Sequence, residues 1–323
     1  MRIDGLSRTG VLLCLSGGIA FAVQPVLGSL AIDHGADIVP MLGWRYLLAA
    51  VVLAIIARRA LRVLPPRVMV SAFALGLVLY TADSFLFYSA VGRTSAPFAS
   101  LLHYAHLVIV VGAAAFLGRE RLRAKPIAAL VFILLGIGLV GGGAVSPDAL
   151  GLVFALASAG VYALYILASD RLLRGVDPIA YSAVLTAGAA TSFLAIGTFE
   201  GDLTRVGGAS GIAMIVVGAL LGSTFALTAF LAGIRLVGPG TASLLVTIEV
   251  PVGLTLAALV LGDRLAPPQL AGALTVVAAI ALLQVPNAWL RRLTLPVSGV
   301  RGRLGAVREV RLSSEGAPVR ATT

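Results

Sequence analysis

The sequence predicts an all-α integral membrane protein with ten transmembrane helices, arranged as two inverted five-helix repeats with both termini in the cytoplasm. Three observations predict this fold: the composition, the spacing of apolar segments, and a similarity between the two halves of the chain. Of the 323 residues, 59% are hydrophobic and 12% are charged, whereas about 25% are charged in an ordinary soluble domain. This composition is typical of a protein embedded in a lipid bilayer.

The apolar residues fall into segments of about twenty residues, the length that a helix needs to cross about 30 Å of hydrocarbon. Short connections rich in turn-forming residues, such as "DHGAD" and "VGPG", separate these segments. The ten predicted spans cover residues 10–32, 39–57, 68–90, 96–117, 126–144, 149–168, 178–199, 211–234, 239–261 and 267–289.

Basic residues are concentrated in alternate connections, and this asymmetry predicts the orientation of the chain. With the N-terminus in the cytoplasm, the cytoplasmic connections include the arginine-rich segments 58–67 and 119–125. The outer connections then contain only Arg93, Arg205 and Arg264. The asymmetry accounts for the net charge of +10 without a nucleic acid as partner.

The end of the chain differs in character from the rest. Residues 290–323 contain Arg, Ser, Gly and Pro without a sustained apolar face, which predicts a basic, disordered cytoplasmic tail. Cys14 is the only cysteine, so the chain can form neither an intramolecular disulfide nor a multi-cysteine metal site. We therefore predict three regions, 10–144, 149–289 and 290–323, and no cofactor.

The second half of the chain is similar to the first. An alignment of the two halves without gaps places the "ASLL" of residues 99–102 over the "ASLL" of 242–245, and the "RL" of 121–122 over that of 264–265. Each half contains five predicted spans, an odd number, so the second half must be inverted in the membrane. Inverted repeats that enclose a central binding site are typical of secondary transporters.

The sequence resembles the EamA family of the drug/metabolite transporter superfamily over about residues 10–286. The resemblance rests on the two five-span halves, on "RYLLAAVVLA" at the start of span two, and on "ASLLHYAHLVIVVGAAAFLGRERL" and "IEVPVGLTLAALVLGDRL". It implies a secondary transporter for a small organic metabolite, amino acid-like or drug-like, in a bacterial-type inner membrane. It further favours export, with protons as a candidate coupling partner. A second copy of the chain is a separate candidate partner.

An ionisable residue in the middle of a transmembrane span is costly and is a functional candidate by default. Glu249 lies in span nine, two residues before Pro251, and the alignment of the two halves places it over His106 in span four. His103 lies one turn before His106 on the same helix face. Because burial favours the neutral form of a carboxyl, we predict that Glu249 exchanges a proton in a central cavity. The alternative is that Glu249 pairs with a polar neighbour and only fixes helix packing.

Further polar residues lie within the first three spans and their counterparts. Asp83 and Arg45 are predicted either to form a buried ion pair or to contact an ammonium and a carboxylate of the solute. Gln24 precedes Pro25 inside span one, and Tyr165 occupies its repeat position. Aromatic candidates for a cavity that holds an organic solute, with packing as the alternative, are Tyr80, Tyr104 and Tyr165.

Two other functions remain open at this point. A divalent metal-ion carrier would use His103, His106 and Glu249, since imidazole and carboxylate suit divalent metals. An intramembrane enzyme is less favoured, because the sequence contains neither H-E-x-x-H nor G-x-S-x-G. The sequence also lacks a Walker motif, so this chain is not predicted to use ATP directly.

Overall fold

The structure is a computed structural model that describes residues 2–3, 6–94, 96–117, 124–141, 148–261 and 267–284. The predicted tail (290–323) and the "GRERL" and "GDRL" segments of the two halves lie outside these residues. Most of the described chain is helical, and two short strands, β1 (Arg2–Ile3) and β2 (Leu6–Ser7), pair antiparallel before the first helix.

The first half forms nine helices within the described residues, and one π-helical segment, Gly76–Tyr80, joins the fifth helix to the sixth. These helices are α1 (Arg8–Phe21), α2 (Val23–Asp33), α3 (Ile38–Ile56), α4 (Arg58–Arg62), α5 (Pro66–Leu75), α6 (Thr81–Arg93), α7 (Ala96–His103), α8 (His106–Phe116) and α9 (Ala124–Gly141).

The second half has fewer helices in its described part, and a longer π-helical segment, Gly218–Ala226, joins two of them. The helices are α10 (Ala149–Leu172), α11 (Pro178–Glu200), α12 (Gly208–Val217), α13 (Leu227–Val237), α14 (Pro239–Val246), α15 (Glu249–Leu261) and α16 (Pro267–Gln284).

Seven helical stretches of the described chain are long and apolar enough to cross a membrane, by length and composition. They are Arg8–Asp33, Ile38–Ile56, Pro66–Arg93, Ala149–Leu172, Pro178–Glu200, Gly208–Val237 and Pro239–Leu256. Shorter apolar helices, His106–Phe116, Ala124–Leu139 and Pro267–Leu282, overlap the remaining three predicted spans. Large apolar side chains such as Phe116 and Phe199 are exposed on the helices, which is typical of surfaces that contact a membrane.

Two helices are interrupted at positions related by the internal repeat. Helix α7 ends at His103 and α8 begins at His106, whereas α14 ends at Val246 and α15 begins at Glu249. The alignment of the two halves places His103 over Val246 and His106 over Glu249. The two π-helical segments also lie in equivalent spans, the third of each half. The repeat that the sequence shows is therefore visible in helix geometry as well.

Helices from the two halves pack directly against each other. The most extensive contacts are those of α3 with α11, of α9 with α16 and of α6 with α10. Gly76 of the first π-helical segment lies against the backbone of α11, where a Cβ would overlap the Leu185 carbonyl. Glycines at such crossings let membrane helices approach closely.

The connection before α3 is held to the connection after α11. Ala36 and Val206 form an isolated β-bridge, and the backbone N–H of Asp37 donates to the Arg205 carbonyl at 2.9 Å. The Arg205 guanidinium lies 2.6 Å from Asp202 and 3.6 Å from Asp37, measured to their carboxylate oxygens. We call residues 36–37 and 202–206 the inter-repeat clamp, because they join the first half to the second.

Candidate functional site

A cavity of about 760 Å³ lies among helices of both halves, a volume within the range of small-molecule sites. Eight of the nine candidate residues line it: Gln24, Arg45, Tyr80, Asp83, His103, Tyr104, His106 and Glu249. The cavity therefore combines charged groups of both signs with aromatic rings.

Arg45 occupies one part of the cavity wall and is bonded only to neutral groups. Its Nη1 donates to Gln24 Oε1 at 2.8 Å and to the Tyr88 hydroxyl at 2.9 Å, and its Nη2 donates to the Tyr46 hydroxyl at 2.9 Å. The guanidinium carbon lies 4.8 Å from the ring centroid of Tyr46 and 5.3 Å from that of Tyr88. The buried Nε has no hydrogen-bond partner among the described residues. Arg45 thus keeps a donor available for an anionic group.

Local sequence explains how Gln24 reaches Arg45. Pro25 has no N–H to donate to the Phe21 carbonyl, and its ring clashes with that carbonyl in a regular helix. The span is interrupted at Ala22, between α1 and α2. In the opposite π-helical segment, Gly222 leaves room for the Gln24 side chain, which a Cβ at that position would overlap.

The two histidines have tautomers that their neighbours define. The Ser158 hydroxyl donates to the Ala155 carbonyl at 3.0 Å, so its oxygen accepts from His103 Nδ1 at 2.8 Å. His106 Nδ1 lies 2.7 Å from the His103 carbonyl, which can only accept, so this nitrogen carries the proton. The Nε2 of neutral His106 is then an acceptor, and it is buried without a hydrogen-bond partner in the described chain.

Glu249 connects the two interrupted helices. The Tyr104 hydroxyl, in the break between α7 and α8, donates to Glu249 Oε1 at 2.7 Å. Glu249 is the first residue of α15, and Pro251 removes the N–H that would otherwise bond to the Thr247 carbonyl. The Val250 N–H bonds to that carbonyl instead, at 3.0 Å. The symmetry-related positions 106 and 249 therefore face one cavity, and Tyr104 in the first break is bonded to Glu249 at the second.

Asp83 does not form the ion pair with Arg45 that was one of the two predicted alternatives. That prediction is wrong, because the Arg45 guanidinium donates its hydrogen bonds to Gln24 and two tyrosines. Asp83 Oδ1 instead lies 3.9 Å from His103 Nδ1, a nitrogen whose proton is donated to Ser158. Oδ1 therefore has no hydrogen-bond partner in the part of the chain that the structure describes.

Tyr165 differs from the other candidates because it does not line the cavity. It is fully buried, and its ring centroid lies 5.2 Å from that of Tyr80 and 5.7 Å from that of Tyr162. Tyr165 thus supports rings that do line the cavity. Gln24, its counterpart in the first half, binds Arg45, so the repeat position does not fix the role.

The sequence does not single out several polar residues of the site, among them Tyr46, Ser84 and Ser158. Tyr46 follows Arg45 directly and its hydroxyl is hydrogen-bonded to Ser84 Oγ at 2.6 Å. The spacing of Tyr80, Ser84 and Tyr88 would have predicted one polar face on span three, since residues four apart share a helix face. Nothing in the sequence pattern marks Ser158 as the acceptor for His103.

The described residues contain no group of three His, Cys, Asp or Glu side chains that could hold a metal ion. The set of His103, His106 and Glu249 is therefore not arranged as a three-ligand metal centre. This arrangement gives no support to the alternative of a divalent metal-ion carrier.

Comparison with known proteins identifies the class of this protein. The sequence matches the EamA-like transporter family over residues 8–142 and again over 149–285. The chain belongs to this family of the drug/metabolite transporter superfamily, and it is a multi-pass membrane protein of the transporter class.

Structural comparison agrees on the fold. Matches to solved structures comprise 29 chains. One of them, described only as the crystal structure of a protein, has a TM-score of 0.74 at 17% sequence identity, over 88% of this chain and 98% of that chain. At this identity the likeness shows the fold alone. A search of curated protein sequences gave no significant match.

Proposed function

We propose that this EamA protein is a secondary active transporter that exports a small organic metabolite by alternating access. The chain would cross a bacterial-type inner membrane ten times, with both termini in the cytoplasm. The observation that carries the proposal is the pair of interrupted helices, which brings His106 and Glu249 from equivalent positions of the two halves to one cavity. Interrupted helices of this kind form the binding sites of many secondary transporters.

The polarity of the cavity supports an amino acid-like or drug-like solute. Arg45 offers an N–H to an anionic group, whereas Asp83 and Glu249 offer carboxyl oxygens to a donor. Aromatic rings such as Tyr80 and Tyr162 supply apolar contact area between these groups. Glu249 is the proposed carrier of a coupling proton, because its carboxyl is held inside the cavity by Tyr104.

The cavity lining also supports a conformation in which the cavity opens to the outer side of the membrane. It extends to Asp33 at the end of α2, to Thr94 after α6 and to Gln269 near the start of α16. The ten-span topology places these three positions on the outer side of the membrane. None of the described cavity-lining residues belongs to the connections 57–65 or 173–177 of the opposite side. The proposed state is therefore open to the outside.

Metabolite analysis of the growth medium tests the proposal. Cells would express the wild type, Glu249→Gln, Glu200→Gln or no transporter, at two external pH values. Glu200 is the matched control, because it is an exposed glutamate at the end of α11. We expect one class of compounds to accumulate outside with the wild type and Glu200→Gln, and export to fall at least about tenfold with Glu249→Gln, as removal of an essential ionisable group predicts.

Two results would contradict parts of the proposal. If no compound accumulates although the wild type is present in the membrane, the proposal of export is wrong. If Glu249→Gln exports as well as the wild type, the carrier function stands, and Glu249 contributes only to helix packing.

A further inference from the structure

Two buried acceptors of the cavity have no donor in the described part of the chain. Asp83 Oδ1 and His106 Nε2 both lack a hydrogen-bond partner. The two side chains are more than nine-tenths buried, with residue exposures of 6% and 2%, and both residues line the cavity. Buried polar groups are almost always hydrogen-bonded in native proteins, so each exception requires an explanation.

His103 places these two acceptors in one cluster. Its Nδ1 lies 3.9 Å from Asp83 Oδ1, and its ring centroid lies 5.0 Å from that of His106. The Tyr162 ring packs against both histidines, with centroid distances of 4.9 Å to His103 and 4.8 Å to His106. We call Asp83, His103, His106 and Tyr162 the acceptor cluster.

The histidine N–H donors of the acceptor cluster are already used. His103 Nδ1–H is donated to Ser158, and His106 Nδ1–H is donated to the His103 carbonyl. The guanidinium of Arg45 is bonded to Gln24, Tyr46 and Tyr88 instead. The nearby Tyr104 hydroxyl is donated to Glu249. A bound solute is therefore the natural source of the missing donors.

We propose that Asp83 and His106 bind the ammonium group of an organic amine, and this inference rests on the proposed transport function. An ammonium group has three donors and no acceptor, which matches a carboxyl oxygen and an imidazole nitrogen that both lack donors. Its positive charge complements Asp83, and aromatic rings such as that of Tyr162 attract cations. Glu249 is a separate group, since its Oε1 already accepts from Tyr104.

Binding of simple amines to the purified full-length protein in detergent tests this inference. Isothermal titration at neutral pH would compare hexylammonium with hexanol, which lacks the charge, and with hexyltrimethylammonium, which lacks the N–H donors. We expect hexylammonium to bind the wild type at least about tenfold more tightly than either control, because charge-assisted hydrogen bonds are stronger than neutral ones.

Variants assign the binding to the acceptor cluster. We expect Asp83→Asn to weaken hexylammonium binding about tenfold and His106→Phe about fivefold, in line with the loss of one charged and one neutral hydrogen bond. The exposed control Glu200→Gln should bind within about twofold of the wild type, because it leaves both acceptors in place. Size-exclusion profiles and unliganded melting temperatures show whether each variant is folded.

Several outcomes overturn the inference. They are the absence of saturable hexylammonium binding to the wild type, equal binding of hexyltrimethylammonium, and unchanged binding by folded Asp83→Asn. If Asp83→Asn does not fold, the inference is tested by the binding of the three ligands to the wild type and by the binding of hexylammonium to His106→Phe. Failure of amine binding by a protein that still exports a metabolite overturns only this inference. Amine binding without export in cells instead contradicts the proposed function.

Discussion

The two interrupted helices have breaks at equivalent positions but use different residues to make them. In the second half, Pro251 removes an N–H from the first turn of α15. In the first half, the equivalent residue is Val108, and no proline is present near the break. There the His106 ring binds the His103 carbonyl at 2.7 Å. A proline and a side-chain hydrogen bond thus accompany the same break in the two halves. We infer that the cavity requires the helix break and not one particular residue.

The first spans of the two halves differ more strongly. Span one is interrupted at Ala22, next to Gln24 and Pro25, whereas α10 runs without interruption from Ala149 to Leu172. The first half also supplies Arg45 and its partners Gln24 and Tyr88, while the second half supplies the space at Gly222. The fold is therefore nearly symmetric, but the arginine of the described cavity lining, Arg45, comes from the first half.

The largest loss of stability is expected from a substitution at a position where the two π-helical segments differ. Gly76 corresponds to Ala219 in the second half, and a Cβ at position 76 would overlap the Leu185 carbonyl of α11. We expect Gly76→Ala to destabilise the protein by about 3 kcal/mol, at the upper end of overpacking costs, because the obstacle is backbone. Thermal unfolding in detergent measures this effect. The control is Gly112→Ala, where a Cβ meets no atom within 4 Å. Equal melting temperatures for the two variants would show that the first π-helical segment tolerates alanine as the second does.

A proline scan tests whether the first-half break is equivalent to the second. Val108→Pro places a proline at the position that corresponds to Pro251, in the first turn of α8. We expect it to cost less than about 1 kcal/mol, whereas Val111→Pro, inside α8, should cost about 3 kcal/mol. Melting temperatures of the two variants measure the difference. Similar losses in both would mean that the break at Tyr104 cannot accommodate a proline, and that the two breaks differ in geometry.

The hydrogen bond between the breaks is expected to have a smaller effect. Tyr104→Phe removes the donor to Glu249 Oε1 but keeps the ring. We expect a loss of about 1 kcal/mol, typical of one buried hydrogen bond. A double-mutant cycle with Glu249→Gln measures the coupling between the two residues. Additive losses would show that the bond does not stabilise the contact between the halves.

The smallest effect concerns the caps at the starts of the two halves. Ser7 accepts from the Gly10 N–H, and Asp148 accepts from the Leu150 N–H. Hydrogen bonds from Arg93 and from the Leu150 backbone lower the pKa of Asp148 below its usual value. Because the folded pKa is lowered, this stabilisation is present above the usual aspartate range and is lost as the pH falls through the folded value.

We therefore expect Asp148→Asn to melt slightly below the wild type at neutral pH and to approach it as the pH falls below about 4, the usual aspartate range. Melting curves across this range measure the difference. Ser7→Ala is the control, since its hydroxyl does not titrate here and its effect should not change with pH. A constant gap between Asp148→Asn and the wild type would contradict the charge-dependent cap.

The sequence predicts those features that follow from hydropathy and from the repeat. The alignment of the two halves correctly places His106 and Glu249 at equivalent positions, because the same break precedes both. The partners of Asp83 and Arg45 could not be predicted, since they depend on helix rotations that an apolar pattern does not define. The break before His106 was also beyond prediction, because a side chain bound to the carbonyl at the end of α7 replaces the usual proline.

The inter-repeat clamp makes the two ends of the molecule differ in their sensitivity to ionic strength. Arg205, Asp202 and Asp37 form exposed ion pairs, which dissolved salt weakens as the Debye length falls from about 30 Å at about 0.01 M to about 3 Å at about 1 M. At the start of α1, Gly10 packs closely against Val237 without any charge. We therefore expect added salt to weaken the ion pairs of the clamp and to leave the contact between Gly10 and Val237 unchanged.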